Sequence, residues 1–333
     1  MRTIALFALF AAVTAAVYAK PAPAPAWVTD TRGAFPDAEY LAQRGSGTSA
    51  EKARTDAAAA LARYFQMNVN AQLSTTLTAV SDGSRATEQT VVVDAVQVQS
   101  QVQLFGIAFT DAYRSKADKT WYCVAYLRRE AAWTPFHPKL ALSKPTFEGL
   151  LALAQNEQDS FTRLGLYKSA WEQGKSLAQT LAYGRILSPQ KKAAYQSQRD
   201  AISQIPVAFE REKAQCTVFI RIAHDQNGIF AAALASALTN SGFSVATQQA
   251  QARYTATLTV DDNQTGDDPL SIQPAAALHI ASSAQKPIFS HTVTAAEKSI
   301  AYTAENARKK AYPKLAQELE DSIKQALSAA FSL

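Results

Sequence analysis

The sequence predicts an α+β protein: two small sheet-plus-helix domains joined by a helical hairpin. Three observations lead there. Apolar residues recur at helical spacing over 48–69, 145–212 and 303–330. Runs rich in Val, Tyr and Thr occupy 104–129 and much of 216–294, the signature of strands. A length of 333 residues is about two domains' worth of chain. With 47% apolar and 18% charged residues the chain can bury real cores, which excludes a disordered, solvated polymer. Two Cys without a CxxC pair exclude a disulfide scaffold and a structural zinc module. The net charge of +5 is mild and does not by itself imply a nucleic-acid or membrane-surface partner.

Residues 1–19 read as a signal peptide. Arg2 supplies the positive start, Ile4 to Val17 the apolar run, and Val17-Tyr18-Ala19 the small-residue site, with cleavage after Ala19. Residues 20–47 read as a Pro/Ala lead-in in which Gly33, Pro36, Gly45 and Gly47 mark turns. No Cys lies near the cleavage region, so the expectation is a periplasmic or exported protein that is not a lipoprotein. Thr48-Ser-Ala-Glu51 forms a capping box, and a helix follows to about Val69 with Ala53, Ala57, Leu61 and Phe65 on one face. Residues 88–103 fit either a helix or a Val-rich strand, with helix preferred. Leu104 to Arg114 and Thr120 to Arg129 form a hairpin across Ser115–Lys119, closing a domain at 48–130.

Phe161, Leu164, Tyr167, Trp171, Ala178 and Leu181 recur at helical spacing, and Ser188-Pro189 starts a further helix. Residues 145–187 and 189–212 are thus expected as an antiparallel helical pair, the second kinked or ended by Pro206. The domain at 214–333 opens with a strand from Cys216 to Ala223. A helix from Gly228 to Asn240 is stopped by Ser241-Gly242. Strands follow at Phe243–Thr247, Arg253–Val260, Ala275–Ser282 and Ile288–Thr294, then a helix from Thr303 to Ala330, bent at Pro313. That order describes a sheet covered by helices on one face. One internal echo aligns Ser49-Ala-Glu51-Lys-Ala53-Arg54-Thr-Asp-Ala57 with Thr303-Ala-Glu305-Asn-Ala307-Arg308-Lys-Lys-Ala311. Either two Ala-rich helices found one packing solution, or a unit was duplicated.

Catalytic signatures are missing: there is no G-x-S-x-G, no phosphate-binding loop and no G-x-G-x-x-G. His137, His224, His279 and His291 are scattered, although His279 and His291 could face each other across a hairpin. Asp261 to Asp268 has Asp261, Asn263 and Gly266 at calcium-loop offsets, but Ile272 stands where the bidentate Glu belongs, so a hairpin tip with solvated charge is expected. Arg128-Arg129 and Arg308-Lys309-Lys310 lack interleaved aromatics, so nucleic acid is not an expected partner. Cys123 and Cys216 are read as buried small hydrophobes, or as an inter-domain disulfide. The expectation is a non-catalytic protein with no cofactor or metal. Its interaction surface is placed at the strand edges and hairpins near Tyr113, Trp121 and Tyr126, aromatics that core packing also explains. The alternative is a soluble ligand-binding protein for a lipid or glycan fragment, motivated by Tyr167, Trp171 and Tyr183.

Pro25-Ala-Trp27-Val28, Gly45-Ser-Gly47, the helix Ser49 to Ala57 and Trp121-Tyr122-Cys123-Val124-Ala125-Tyr126 together carry a resemblance. Over residues 25–130 the chain resembles the LPP-twenty family of small bacterial outer-membrane lipoproteins, although the family's lipidated Cys has no counterpart. The carboxy-terminal third resembles the small domains of the TolB amino-terminal type. The residues that carry this are Ala232-Ala-Leu234 to Gly242-Phe243 and Arg253-Tyr254. Such domains occur in flagellar H-ring assembly proteins and in lipoprotein activators of peptidoglycan synthases. The resemblance implies a periplasmic or envelope scaffold or assembly protein. Its implied partners are flagellar ring or peptidoglycan-synthesis components, with peripheral membrane contact and self-association left open.

Overall fold

The computed structural model describes residues 24–77, 106–223, 225–266 and 269–333. The signal-peptide reading of 1–19, the helix-or-strand question at 88–103, His224 and Asp267-Asp268 lie outside the described residues. The chain divides into two compact units, Met1–Ala62 with Phe105–Arg128, and Arg63–Leu104 with Arg129–Leu333.

In the first unit, two short helical turns, α1 (Ala26–Thr29) and α2 (Thr31–Ala34), precede strand β1 (Tyr40–Gly47). Strands β2 (Ala108–Phe109), β3 (Tyr113–Arg114) and β4 (Trp121–Arg128) complete an antiparallel sheet in which β4 is central. The expected hairpin is present, with Tyr113 opposite Tyr122 and Arg114 opposite Trp121. The lead-in reading of 20–47 needs correction, because residues 40–47 are a full strand paired along β4. Gly45 and Gly47 do not make turns. A Cβ on Gly45 would sit 2.1 Å from the Ala57 backbone nitrogen, and one on Gly47 would sit 2.7 Å from that of Ala53. The glycines let helix α3 (Ala50–Leu77) lie directly on the sheet, with Ala53, Ala57 and Leu61 fully buried. The cap also shifts by one residue. Ser49 Oγ, not Thr48, accepts the Lys52 amide at 3.2 Å.

In the second unit, the later part of α3 packs Phe65 on Tyr183, ring centroids 5.6 Å apart. Helices α4 (Arg129–Trp133), α5 (His137–Asn156), α6 (Ser160–Leu187) and α7 (Gln196–Gln215) follow, with α6 packed against both α5 and α7. The expected pair over 145–212 is therefore three helices. Asp159 accepts the Thr162 amide at 2.8 Å, and this cap separates α5 from α6. Pro206 ends nothing: it lies within α7, as Pro313 lies within the last helix.

Strands β5 (Thr217–Ile222), β6 (Ser244–Ala246), β7 (Tyr254–Asp261), β9 (Ala275–Ser282) and β10 (Pro287–Thr294) form a mixed sheet ordered β10-β9-β7-β5-β6. Helices α8 (Ile229–Asn240) and α9 (Ala304–Phe331) cover one face, over buried Val218, Ala256, Leu258, Leu278 and Ile280. This is the one-sided architecture the element order predicts. Helix α8 ends as expected at Gly242. This residue takes φ +88°, while the Phe243 amide donates to the Leu238 carbonyl and the Gly242 amide to that of Thr239. An unexpected two-stranded sheet pairs β8 (Leu270–Ile272) with β11 (Ser299–Ala301).

No domain boundary falls between the middle helices and this sheet. Phe161 of α6 packs on Phe243, Tyr254 and Phe331 at centroid distances of 5.4, 4.5 and 5.0 Å. Lys168 of α6 and Lys213 of α7 donate to the Ala329 and Phe331 carbonyls in the last turn of α9. Cations there satisfy acceptors that a helix end leaves open.

Candidate interaction surface

Alternation along β1 and β4 gives the first sheet two faces. Cys123, Ala125 and Leu127, with Gly45 and Gly47 opposite, face α3 and are covered by it. Tyr122, Tyr126, Tyr40 and Arg44 occupy the other face. There Phe35 packs on Tyr126 at 4.6 Å and on Tyr40 at 5.7 Å, and Tyr40 meets Tyr126 at 6.0 Å. The Arg44 guanidinium lies 5.3 Å from the Tyr122 ring centroid while donating to the Val28 carbonyl at 2.5 Å. The result is a half-buried aromatic face with one cation, held by the segment that leads into β1.

Of the three residues expected at an interaction surface, two share this face. Tyr113 lies directly opposite Tyr122, and Tyr126 stands two positions before the end of β4. Trp121 is opposite Gly47 and points to the α3 side, so the structure does not bring it to the other two. Sequence reasoning missed Phe35, Tyr40 and Arg44. The alternation Tyr40-Leu41-Ala42 was the available signal, with Leu41 buried and its neighbours not.

A hydrogen-bonded carboxylate sits beside this face. Tyr122 donates its phenol to Asp118 at 2.6 Å. This bond, with the Thr120 amide, holds the Asp118 carboxyl down at about 2, and Asp118 in turn raises the Tyr122 phenol. In the second unit Asp262 accepts from Arg308 Nε at 2.7 Å and from the Tyr312 phenol at 2.8 Å. The acidic loop is therefore not purely solvated charge, as the sequence suggested. Part of it is tied to α9 beside a groove of about 860 Å³. Burial, seconded by Asp262, pushes the Tyr312 phenol up to about 12.

The two late histidines do not meet. His279 is opposite Ser290 and bonds its hydroxyl at 2.6 Å, whereas His291 is opposite Leu278 and bonds Ser322 of α9 at 2.8 Å. They project from opposite faces, so the facing arrangement considered from sequence is corrected. Among the described residues no three His, Cys, Asp or Glu side chains gather as a metal site. Cys123 and Cys216 are both buried and unbridged. Burial, seconded by Glu212, pushes the Cys216 thiol up to about 12, the opposite of an activated nucleophile. Tyr167, Trp171 and Tyr183, the basis of the ligand-binding alternative, are buried core residues. Among the described residues no helix is long and apolar enough to cross a membrane.

Residues 25–128 match the model of the LPP20 lipoprotein family. The matched segment coincides with the aromatic-faced sheet and its helix. The family is one of lipoproteins, which is at odds with the expectation of a protein without a lipid anchor. No curated protein matches. Among solved structures, a secreted protein of Helicobacter pylori aligns at 14% identity over 88% of this chain and 98% of its own, with a TM-score of 0.35. A protein of Caulobacter crescentus described as a lipoprotein aligns at 13% identity over 37% and 93% (TM-score 0.26). A minor lipoprotein of Acinetobacter baumannii aligns at 14% over 34% and 94% (TM-score 0.24). None of the three reaches the level at which two folds are the same.

Proposed function

We propose that this protein is a non-catalytic component of the bacterial cell envelope, an exported scaffold or assembly factor that docks through the aromatic face of its first unit. The observation that carries the reading is the LPP20 family match over residues 25–128, the segment that builds this face. Tyr113, Tyr122, Tyr126 and Arg44 give the face the composition favoured at protein interfaces, where Tyr and Arg supply much of the binding energy. The proposal includes a carboxy-terminal unit of the TolB amino-terminal type and, as partners, flagellar ring or peptidoglycan-synthesis proteins.

In-cell cross-linking with mass spectrometry tests the reading, using the full chain and a Tyr113→Ser/Tyr126→Ser variant. The expected result is cross-links from the first unit to envelope proteins, reduced several-fold in the variant. Cross-links that are absent, or unchanged in the variant, overturn it. The intact mass of the same envelope-derived protein reports whether the chain carries an acyl group.

A further inference from the structure

Three pairing registers align four residues of the five-stranded sheet into one row. Arg221 of β5 is opposite Thr257 of β7, Thr257 is opposite His279 of β9, and His279 is opposite Ser290 of β10. All four project from the face that α8 and α9 leave open, since the alternate positions Val218, Leu258, Leu278 and Val293 are buried under the helices. Arg221, His279 and Ser290 are exposed. Strands lie about 4.8 Å apart, which puts the Arg221 and His279 backbones about 10 Å from each other with Thr257 midway.

The two end groups are held in place. Arg221 donates one terminal amine to Gln249 Oε1 at 2.9 Å, which leaves its other N–H groups unused. Ser290 Oγ lies 2.6 Å from His279 Nδ1. With the Ser290 hydroxyl donating to Nδ1, the neutral ring keeps its proton on Nε2 and remains a donor there. Between them the Thr257 hydroxyl has no hydrogen-bond partner among the described residues. Three donors from neighbouring strands thus stand in one row. Asp261, the acidic residue on the same face of β7, lies four residues away, about 13 Å along the strand.

We infer that the Arg221–Thr257–His279 row is a binding site for a phosphate group. A tetrahedral oxyanion seated over Thr257 can take one bond from each of the three donors, the one from Arg221 charge-assisted. The inference stands on the second unit alone and is independent of the docking face proposed for the first.

NMR titration of the full chain with inorganic phosphate tests it, at ionic strength held constant with sodium chloride. The expected result is a saturable shift of the His279 ring signals and the Thr257 amide, with His137 and His291 unmoved. Arg221→Gln and His279→Gln are each expected to weaken binding about tenfold, the scale of one hydrogen bond to a charged group. Both positions are exposed, and unchanged spectra elsewhere will show that the variants fold. No saturable shift, an equal response to sodium chloride, or undiminished binding in both variants overturns the site. Saturation that appears with phosphatidylglycerol vesicles and not with inorganic phosphate also overturns it, because the reader would then be a lipid surface.

Discussion

A methyl group at Gly45 would overlap the backbone of α3 at three atoms, the Ala57 nitrogen at 2.1 Å and the Ala53 carbonyl oxygen and Ala57 Cα at 2.6 Å each. Backbone atoms cannot rotate aside as a side chain can, so helix and sheet would have to separate. Gly45→Ala is expected to cost about 3 kcal/mol or more of unfolding free energy, the upper range of overpacking. Denaturant unfolding followed by circular dichroism measures it, and a loss under about 1 kcal/mol would show that the helix does not rest on the strand. The same close contact explains why Ala occupies positions 53 and 57. The late helix repeats the arrangement. Thr303 caps the Asn306 amide as Ser49 caps that of Lys52, and Ala307, Ala311 and Leu315 are buried like Ala53, Ala57 and Leu61. The echo in the sequence thus coincides with a repeated cap and a repeated buried face.

At the scale of elements, the junction of α5 and α6 is set by one carboxylate. Asp159 caps α6 through the Thr162 amide and hydroxyl, and its other oxygen accepts the Tyr254 phenol at 3.0 Å, tying the helix to β7. Burial works against its charge, but the Thr162 and Tyr254 bonds outweigh it and hold the carboxyl below its ordinary value of 3.8. A depressed native value stabilises the fold above the unfolded pKa, and that contribution is lost as pH falls through the native one. Asp159→Ala is expected to cost about 1 kcal/mol at neutral pH, as cap removals do. The difference from the parent protein should shrink below about pH 4. A denaturation series from pH 7 to pH 2 with a constant difference would contradict this. Burial, seconded by Asp159, raises the Tyr254 phenol to about 12, so it remains a donor to Asp159 throughout that range.

For the molecule as a whole, the described residues hold two cores. One lies between α3 and the β4 sheet; the other runs from the middle helices through Phe161 and Phe331 into the five-stranded sheet. Leu278 is fully buried in the second core. Leu278→Ala is expected to cost about 2–5 kcal/mol. Hydrogen exchange should show protection lost in β7, β9 and α6 together while the β4 amides keep theirs. Loss confined to the sheet, with α6 unaffected, would mean that the middle helices are a separate body after all.

Local pattern was legible wherever short-range physics decides. Helical spacing, the stop at Ser241-Gly242, the hairpin closing on β4 and the one-sided sheet all follow from bonds and periodicities within a few residues. The absence of catalytic signatures and the family likeness of residues 25–130 were legible in the same way, since short motifs carry them. The tertiary structure decided what depends on register and on long-range contact. A strand side chain changes face with every residue, so pairing alone separates Trp121 from Tyr126 and His279 from His291. Contact alone makes Gly45 a seat for a helix rather than a turn, and joins α6 to a sheet nearly a hundred residues away through Tyr254 and Asp159. The row of Arg221, Thr257 and His279 was invisible for the same reason: three strands must pair before residues so far apart in sequence become neighbours.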